Sequence, residues 1–248
     1  MKDLTLISCS YNTPDVTMLM LKSFALVHDA PQHVLISENS TNEDTTLLLN
    51  KYNIPYIRNQ GFTHGDGINE LLEQCNTKYA LLVDTDVIFL KNHLDVFKQF
   101  KEMELALMGK IEGDRGGKRI YKRVNPWHCF INVDLIKHHN IKFFDQELMK
   151  NSFNTDCIYD IGSTFFKSVK ENKLRIGDVD YSNEYFLHLE GMSWYKNKFD
   201  PSKEDTGIDF GGTHNNFGFV QAYEQKYAYF NHIKSRFECN NLTGKFIK

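Results

Sequence analysis

The chain has 248 residues, of which 41% are hydrophobic and 25% charged, with a formal net charge of −3 and a pI near 6.4. That length and composition suit one catalytic unit with a sizeable core and exclude a long disordered tail. The lack of excess positive charge excludes a sequence-independent nucleic-acid binder, because phosphate binding of that kind needs clustered lysine and arginine.

The cysteines at 9, 75, 129, 157 and 239 are odd in number and scattered, without a C-x-x-C pair, and read as free thiols of a cytoplasmic protein. No apolar run approaches the roughly 20 residues of a membrane span, so neither a span nor an export signal is expected.

Residues 1–111 alternate short apolar runs with helix-like segments, the pattern of βαβ units and a mostly parallel sheet flanked by helices. Leu4 to Cys9 is a strand. Thr13 and Pro14 open a helix as its cap and first residue, with Val16, Leu19, Met20, Phe24 and Val27 on one face. Val34 to Ser37 and Tyr56 to Arg58 are further strands, ending in Glu38-Asn39-Ser40 and Asn59-Gln60-Gly61. In open α/β sheets ligands bind beyond the carboxyl ends of the strands, so these polar endings are expected to line one crevice. Gly65 to about Cys75 is a helix, Tyr79 to Val83 a buried strand, Leu94 to Lys101 a helix, and Ala106 to Ile111 a strand.

A glycine-rich basic loop from Glu112 to Arg123 marks a border. Beyond it, residues 112–198 are expected to form the acceptor-side half of the same domain. There Asp160 caps a helix reaching about Lys170, Lys173 to Gly177 is extended, and Tyr185 to Leu189 is a strand. Residues 199–248 are expected to form an extension with a C-terminal helix over Phe217 to Phe237.

The most informative stretch is Leu81 to Phe89, where Asp84 and Asp86 interrupt an apolar run around Thr85. Residues two apart on an extended segment point to one side, roughly 6 to 7 Å apart, so both carboxylates can face one ligand. Desolvating two like charges is unfavourable unless a cation balances them. Mn²⁺ or Mg²⁺ does so with hard oxygen ligands while leaving positions for water and phosphate oxygens. The alternative is a pair of acids in an exposed turn.

Taken in order, Leu6 to Asn12, Glu38 to Ser40, Asn59-x-Gly61 with Gly65-x-Gly67-x-Asn69, and Tyr79 to Asp86 resemble the nucleotide-sugar-binding half of GT-A glycosyltransferases, especially those of family 2. The likeness covers residues 4–111 and continues more loosely to Trp194. It implies an inverting, metal-dependent transfer of a sugar from a UDP, GDP or dTDP sugar to a glycan or other hydroxyl acceptor. A catalytically inactive nucleotide- or glycan-binding domain, and a sugar nucleotidyltransferase, are the alternatives.

By the same resemblance, Ser8 to Tyr11 flank base and ribose, and Glu38 or Asn39 bonds the base, where the family usually has aspartate at the position of Glu38. Asn59, Gly61, Asn69 and Thr85 belong to the donor site. Asp84 lies near ribose or metal-bound water, and Asp86 holds the metal. Plain packing also accounts for Tyr11, and a helix-start hydrogen bond for Asn69.

Inversion needs a carboxylate to take the acceptor proton. Asp156 and Asp160 are the candidates, although either can be an N-cap instead. His188 resembles the histidine that completes metal or diphosphate binding, with His214 second, and a strand histidine with an ordinary hydrogen bond is the alternative. Trp127 can stack on a sugar or fill the core, as can Trp194. The loop from Arg115 to Arg119 reads as a solvated basic loop or as a phosphate contact.

Overall fold

The computed structural model describes residues 2–28, 32–113, 121–145, 159–180 and 184–189, with 231–232, 234–235, 242 and 244–247. Eight strands among these residues form one sheet. They are β1 (Leu4–Ser10), β2 (Gln32–Glu38), β3 (Tyr56–Arg58), β4 (Tyr79–Val83), β6 (Leu107–Gly109), β9 (His128–Asn132), β10 (Ile176–Asp178) and β12 (Phe246–Ile247). Their order is β10-β6-β9-β4-β1-β2-β12, and β3 also pairs with β2. Every pairing is parallel except those of β9, which runs antiparallel to both β4 and β6.

Helices among the described residues include α1 (Pro14–Val27), α2 (Asp44–Lys51), α3 (His64–Gln74), α4 (Leu94–Glu102), α5 (Val133–His138) and α6 (Ser163–Glu171). They cover both faces, and the period of two along each strand decides which face a side chain serves. On β4, Tyr79, Leu81 and Val83 pack with Phe24 of α1 and with Phe97 and Phe100 of α4. Ala80 and Leu82 pack with Ile68 and Leu71 of α3, Ile136 of α5 and Phe165 of α6. Strands buried on both faces read as continuous apolar runs, which is why β4 carries no polar residue before Asp84.

Two short pairs lie off the sheet. β5 (Val87–Phe89) runs antiparallel to β11 (Phe186–His188), and β7 (Ile111–Glu112) to β8 (Arg123–Val124). The single strand expected over 106–111 is therefore broken at Lys110, whose carbonyl takes the Asn125 N–H. Close packing of Gly109 on Val124 and Cys129 accompanies the break. Thr13 stands at the cap position of α1, but its side chain makes no capping bond. Asp160 lies short of α6, whose cap is Gly162 in the left-handed region, φ 86°. The helix expected over 217–237 lies almost wholly outside the described residues. Phe246 and Leu242, from the same C-terminal segment, are buried in the core beside β2. No helix among the described residues is long and apolar enough to cross a membrane.

Behind β5, the buried rings of His93 and His128 meet with their Nε2 atoms 3.0 Å apart. One ring must donate and the other accept, so at least the accepting ring is neutral and the contact excludes protonation of both. Burial, followed by the neighbouring His28, pulls His93 down to about 3 from an ordinary 6.5, and burial and His93 push His128 the same way.

Histidines depressed in the folded state contribute stability that is complete above their unfolded value and declines as pH falls toward the folded one. Unfolding free energy measured in urea should fall by roughly 1 kcal/mol per histidine between about pH 7.5 and about pH 5.5. A double His93→Leu/His128→Leu variant should lose most of that pH dependence.

Candidate functional site

The order β3-β2-β1-β4 reverses at β1, so the loops after β1 and β4 diverge and open a crevice between them. Asp84 follows β4 directly. Its N–H donates to the Trp127 carbonyl at 3.2 Å, next to the last β4–β9 pair, Val83 with His128. Its own carbonyl takes the Val87 N–H at 3.2 Å, closing a turn over Asp84-Thr85-Asp86. The acids are thus brought together by a turn and not by an extended strand as the spacing suggested. Unlike acids in an ordinary surface turn, they are sheltered, with the Asp86 side chain 0% exposed and that of Asp84 21%.

His188 arrives from a distant part of the chain. The β5–β11 ladder pairs it with Val87, and the Leu189 N–H donates to the Asp86 carbonyl at 2.9 Å. Its Nε2 lies 3.3 Å from Asp86 Oδ1, and its ring stacks on Trp127 at 4.6 Å between centroids. One ligand atom each from Asp84, Asp86 and His188 fall within 4.8 Å of one another. Ligands on one small divalent ion at about 2.1 Å span up to about 4.2 Å, so the cluster fits such an ion after shifts of a few tenths of an ångström.

The electrostatics point the same way. Desolvation raises the Asp84 carboxyl above its usual range, and the Asp86 carboxylate adds to the rise, while His64 and His188 oppose it. A cation among these groups would favour the charged form of both acids. Burial, with a further push from Asp84, also raises the nearby Cys9 thiol, which stays protonated.

Several residues expected to face a nucleotide are engaged within the protein. The Glu38 carboxylate is fully buried, where it pairs with Arg58 and accepts from the Ser40 N–H at 3.0 Å and the Thr46 hydroxyl at 3.2 Å. Asn39 accepts from Ser37 Oγ at 2.6 Å, and its amide lies 3.4 and 3.3 Å from the Phe62 and Thr63 carbonyls. Asn59 donates to Ser37 Oγ at 2.9 Å, tying the ends of β2 and β3 together.

Asn69 grips the Phe143 backbone with both ends of its amide, at 2.9 and 2.8 Å. Gly61 sits at φ +84°, a conformation that L side chains rarely adopt. Tyr11 is exposed. Ser8 Oγ and Thr85 Oγ1 are buried and have no hydrogen-bond partner among the described residues. Asp160 pairs with Arg123 at 2.7 Å through one oxygen and accepts the Ile161 N–H at 2.8 Å through the other. Asp156, His214, Trp194 and the loop from Arg115 to Arg119 lie outside the described residues.

Two residues at the site escaped the sequence reading. His64, the first residue of α3, places Nε2 3.7 Å from Asp84 Oδ1. Arg123 holds Asp160 and also donates to the Ile161 carbonyl at 2.8 Å. A signal for His64 exists, because Thr63 is a cap followed by Asp66 and so puts position 64 at the crevice. Arg123 carries none, being one of several basic residues in its loop.

No family model matches the chain, and no curated protein matches it in sequence. Solved structures do. S. aureus TarS 1-349 in complex with UDP-GlcNAc superposes with a TM-score of 0.54 at 17% identity, over 94% of this chain and 71% of that one. The galactosyltransferase LgtC in complex with donor and acceptor sugar analogs gives 0.52 at 13% identity, over 69% and 72% of the two chains. The fold is that of the GT-A glycosyltransferases. Mannosyltransferase PcManGT from Pyrobaculum calidifontis, in complex with GDP-Man and Mn²⁺, shares the GT-A fold at a TM-score of 0.52 and 11% identity, over 72% and 55%. The match to the longer TarS structure covers only 36% of that protein.

One glycine of this GT-A domain is bounded by the crevice itself. A Cβ on Gly67 would meet Asn39 Nδ2 at 2.8 Å, Cys9 Sγ at 2.9 Å and Ser37 Oγ at 3.0 Å, whereas one on Gly65 meets the end of the Asp145 side chain at 3.1 Å. In urea unfolding, Gly67→Ala should cost about 1–3 kcal/mol through overpacking, despite a helix propensity gain of about 1 kcal/mol. Gly65→Ala should be close to neutral.

Proposed function

We infer that the protein is a metal-dependent glycosyltransferase that moves a sugar from a nucleotide-diphosphate-sugar donor to a hydroxyl acceptor. The observation that carries this reading is the convergence of Asp84, Asp86 and His188 at the strand-end crevice of a GT-A fold. Asp86 and His188 would hold the ion from the inner side and Asp84 from the side open to solvent, in keeping with their exposure. A mixed carboxylate and imidazole set suits Mn²⁺ better than Mg²⁺, for which all-oxygen sites are the rule. Bound there, the ion would supply charge neutralisation to the diphosphate leaving group.

The rest falls to the chain. The crevice after β1 and β4 would take the nucleotide, with Tyr11 as the exposed ring able to cover base or ribose and the Ser8 and Thr85 hydroxyls as unspent polar groups beside it. Glu38 and Asn39 would act through the loops they brace, since their polar atoms already have protein partners. Trp127, stacked on His188, would present its indole to a sugar ring.

With inversion taken from the family 2 likeness, Asp156 and Asp160 are the candidates for the acceptor proton, and Asp156 would take it because Asp160 already has partners. Asp160 is committed to Arg123 and the Ile161 N–H and would anchor the turn before α6.

The test is transfer or slow donor hydrolysis with a panel of UDP, GDP and dTDP sugars and Mn²⁺. Asp84→Asn and Asp86→Asn should each lower kcat/KM by at least about a hundredfold while keeping the fold by circular dichroism, because charge stabilisation at the leaving group is the largest contribution lost. Turnover undiminished in both variants would remove the donor site from this location.

A further inference from the structure

Asp86 and His188 are fixed by the β5–β11 ladder, but Asp84 is held by its backbone alone up to the turn. Its carboxylate is the more exposed of the two, and its close side-chain partner among the described residues is the imidazole of His64. A carboxylate that must meet an ion in one orientation gains from a neighbour that limits its rotamers, and such outer partners commonly decide metal affinity.

His64 is unusually well placed for that task. It opens α3, whose cap Thr63 accepts the Asp66 N–H at 3.2 Å. The two carbonyls before it face the Asn39 amide, and its own carbonyl faces the Cys9 thiol at 3.8 Å. The next N–H, of Gly65, donates to Asp145 at 3.0 Å. The backbone is therefore tied on both sides of a histidine whose ring is 39% exposed and directed at Asp84.

Resting on the function inferred above, we propose that His64 is a positioning residue for Asp84, limiting the orientation of that carboxylate from the Oδ1 side and so setting the affinity of the site for a divalent ion. At 3.7 Å the Nε2 is just outside hydrogen-bond distance of Asp84 Oδ1, and a small side-chain rotation closes it to an N–H donation when an ion draws the carboxylate into place, so a side chain that keeps an N–H there keeps the function. Glutamine does so and alanine does not.

Mn²⁺ binding to the full chain without nucleotide, followed by electron paramagnetic resonance of the free ion, tests this directly. His64→Ala should weaken Mn²⁺ about tenfold, with His64→Gln restoring most of the loss. Thermal midpoints without metal should stay within about two degrees in both, as for an exposed side chain. Binding by His64→Ala within about twofold of the unaltered protein overturns the proposal, as does a His64→Gln variant no better than alanine. A lowered metal-free midpoint in His64→Ala also overturns it, in favour of a structural role. Asp86→Asn separates the levels. If it abolishes Mn²⁺ binding while His64→Ala does not weaken it, only the role of His64 falls, whereas Mn²⁺ binding unchanged in Asp86→Asn overturns the metal site together with it.

Discussion

Two like charges held at the end of a buried strand are the constraint around which the molecule is arranged. Asp84 and Asp86 sit where β4 leaves the sheet, and three backbone hydrogen bonds keep them there. These are Asp84 N–H to Trp127, Val87 N–H to Asp84, and Leu189 N–H to Asp86. The second closes the turn locally, while the first and third come from distant parts of the chain, so the acids are held in place on the sheet edge only in the completed fold. The cost of burying them, and to a lesser degree of crowding them, is visible in the raised proton affinity of Asp84, and is offset by the packing of β4, β9 and β11 around the turn. An antiparallel β9 beside β4 brings Trp127 back to the same sheet edge as the acids, which a parallel neighbour in that slot would not do.

The other side of the crevice is built by side chains turned inward. Ser37, Asn39 and Asn59 form a small hydrogen-bonded set at the ends of β2 and β3, and α3 packs against it closely enough to require Gly67. Asn12, in the left-handed region at φ 54°, joins the loop after β1 to that after β2 through Ser40 and Thr41. Such satisfied polar networks give a rigid frame, since leaving any member unpaired in a buried position would be costly.

The βαβ rhythm of residues 1–111 is legible because its buried strands are short apolar runs ending in polar residues. β3 and β4 lie where that pattern puts them, and α3 and α4 come within a residue or so. The helix over Asp44–Lys51 is not legible: only Thr45 and Leu49 are buried, too few to show a period. β9 is hidden for another reason. His128 and Cys129 look like site chemistry in isolation, and five buried residues running straight into a helix carry no turn signal. At the site, the residue types in Asp84-Thr85-Asp86 announce shared charge, but the turn that joins them depends on Trp127 and His188, which no local pattern links. Glu38 shows the opposite difficulty, for a buried carboxylate paired with Arg58 looks in sequence like one displayed to a ligand.

The pairing of Phe246 and Ile247 with Gln32 and His33 bears on how the protein is made. Until those late residues leave the ribosome, the outer edge of β2 at Gln32 and His33 stays unpaired on a nascent sheet whose other central strands can already assemble. Long-range pairing of this kind is slow and leaves a strand edge open to other chains in the meantime. Closing that edge is thus a late step of assembly, made by a two-residue strand.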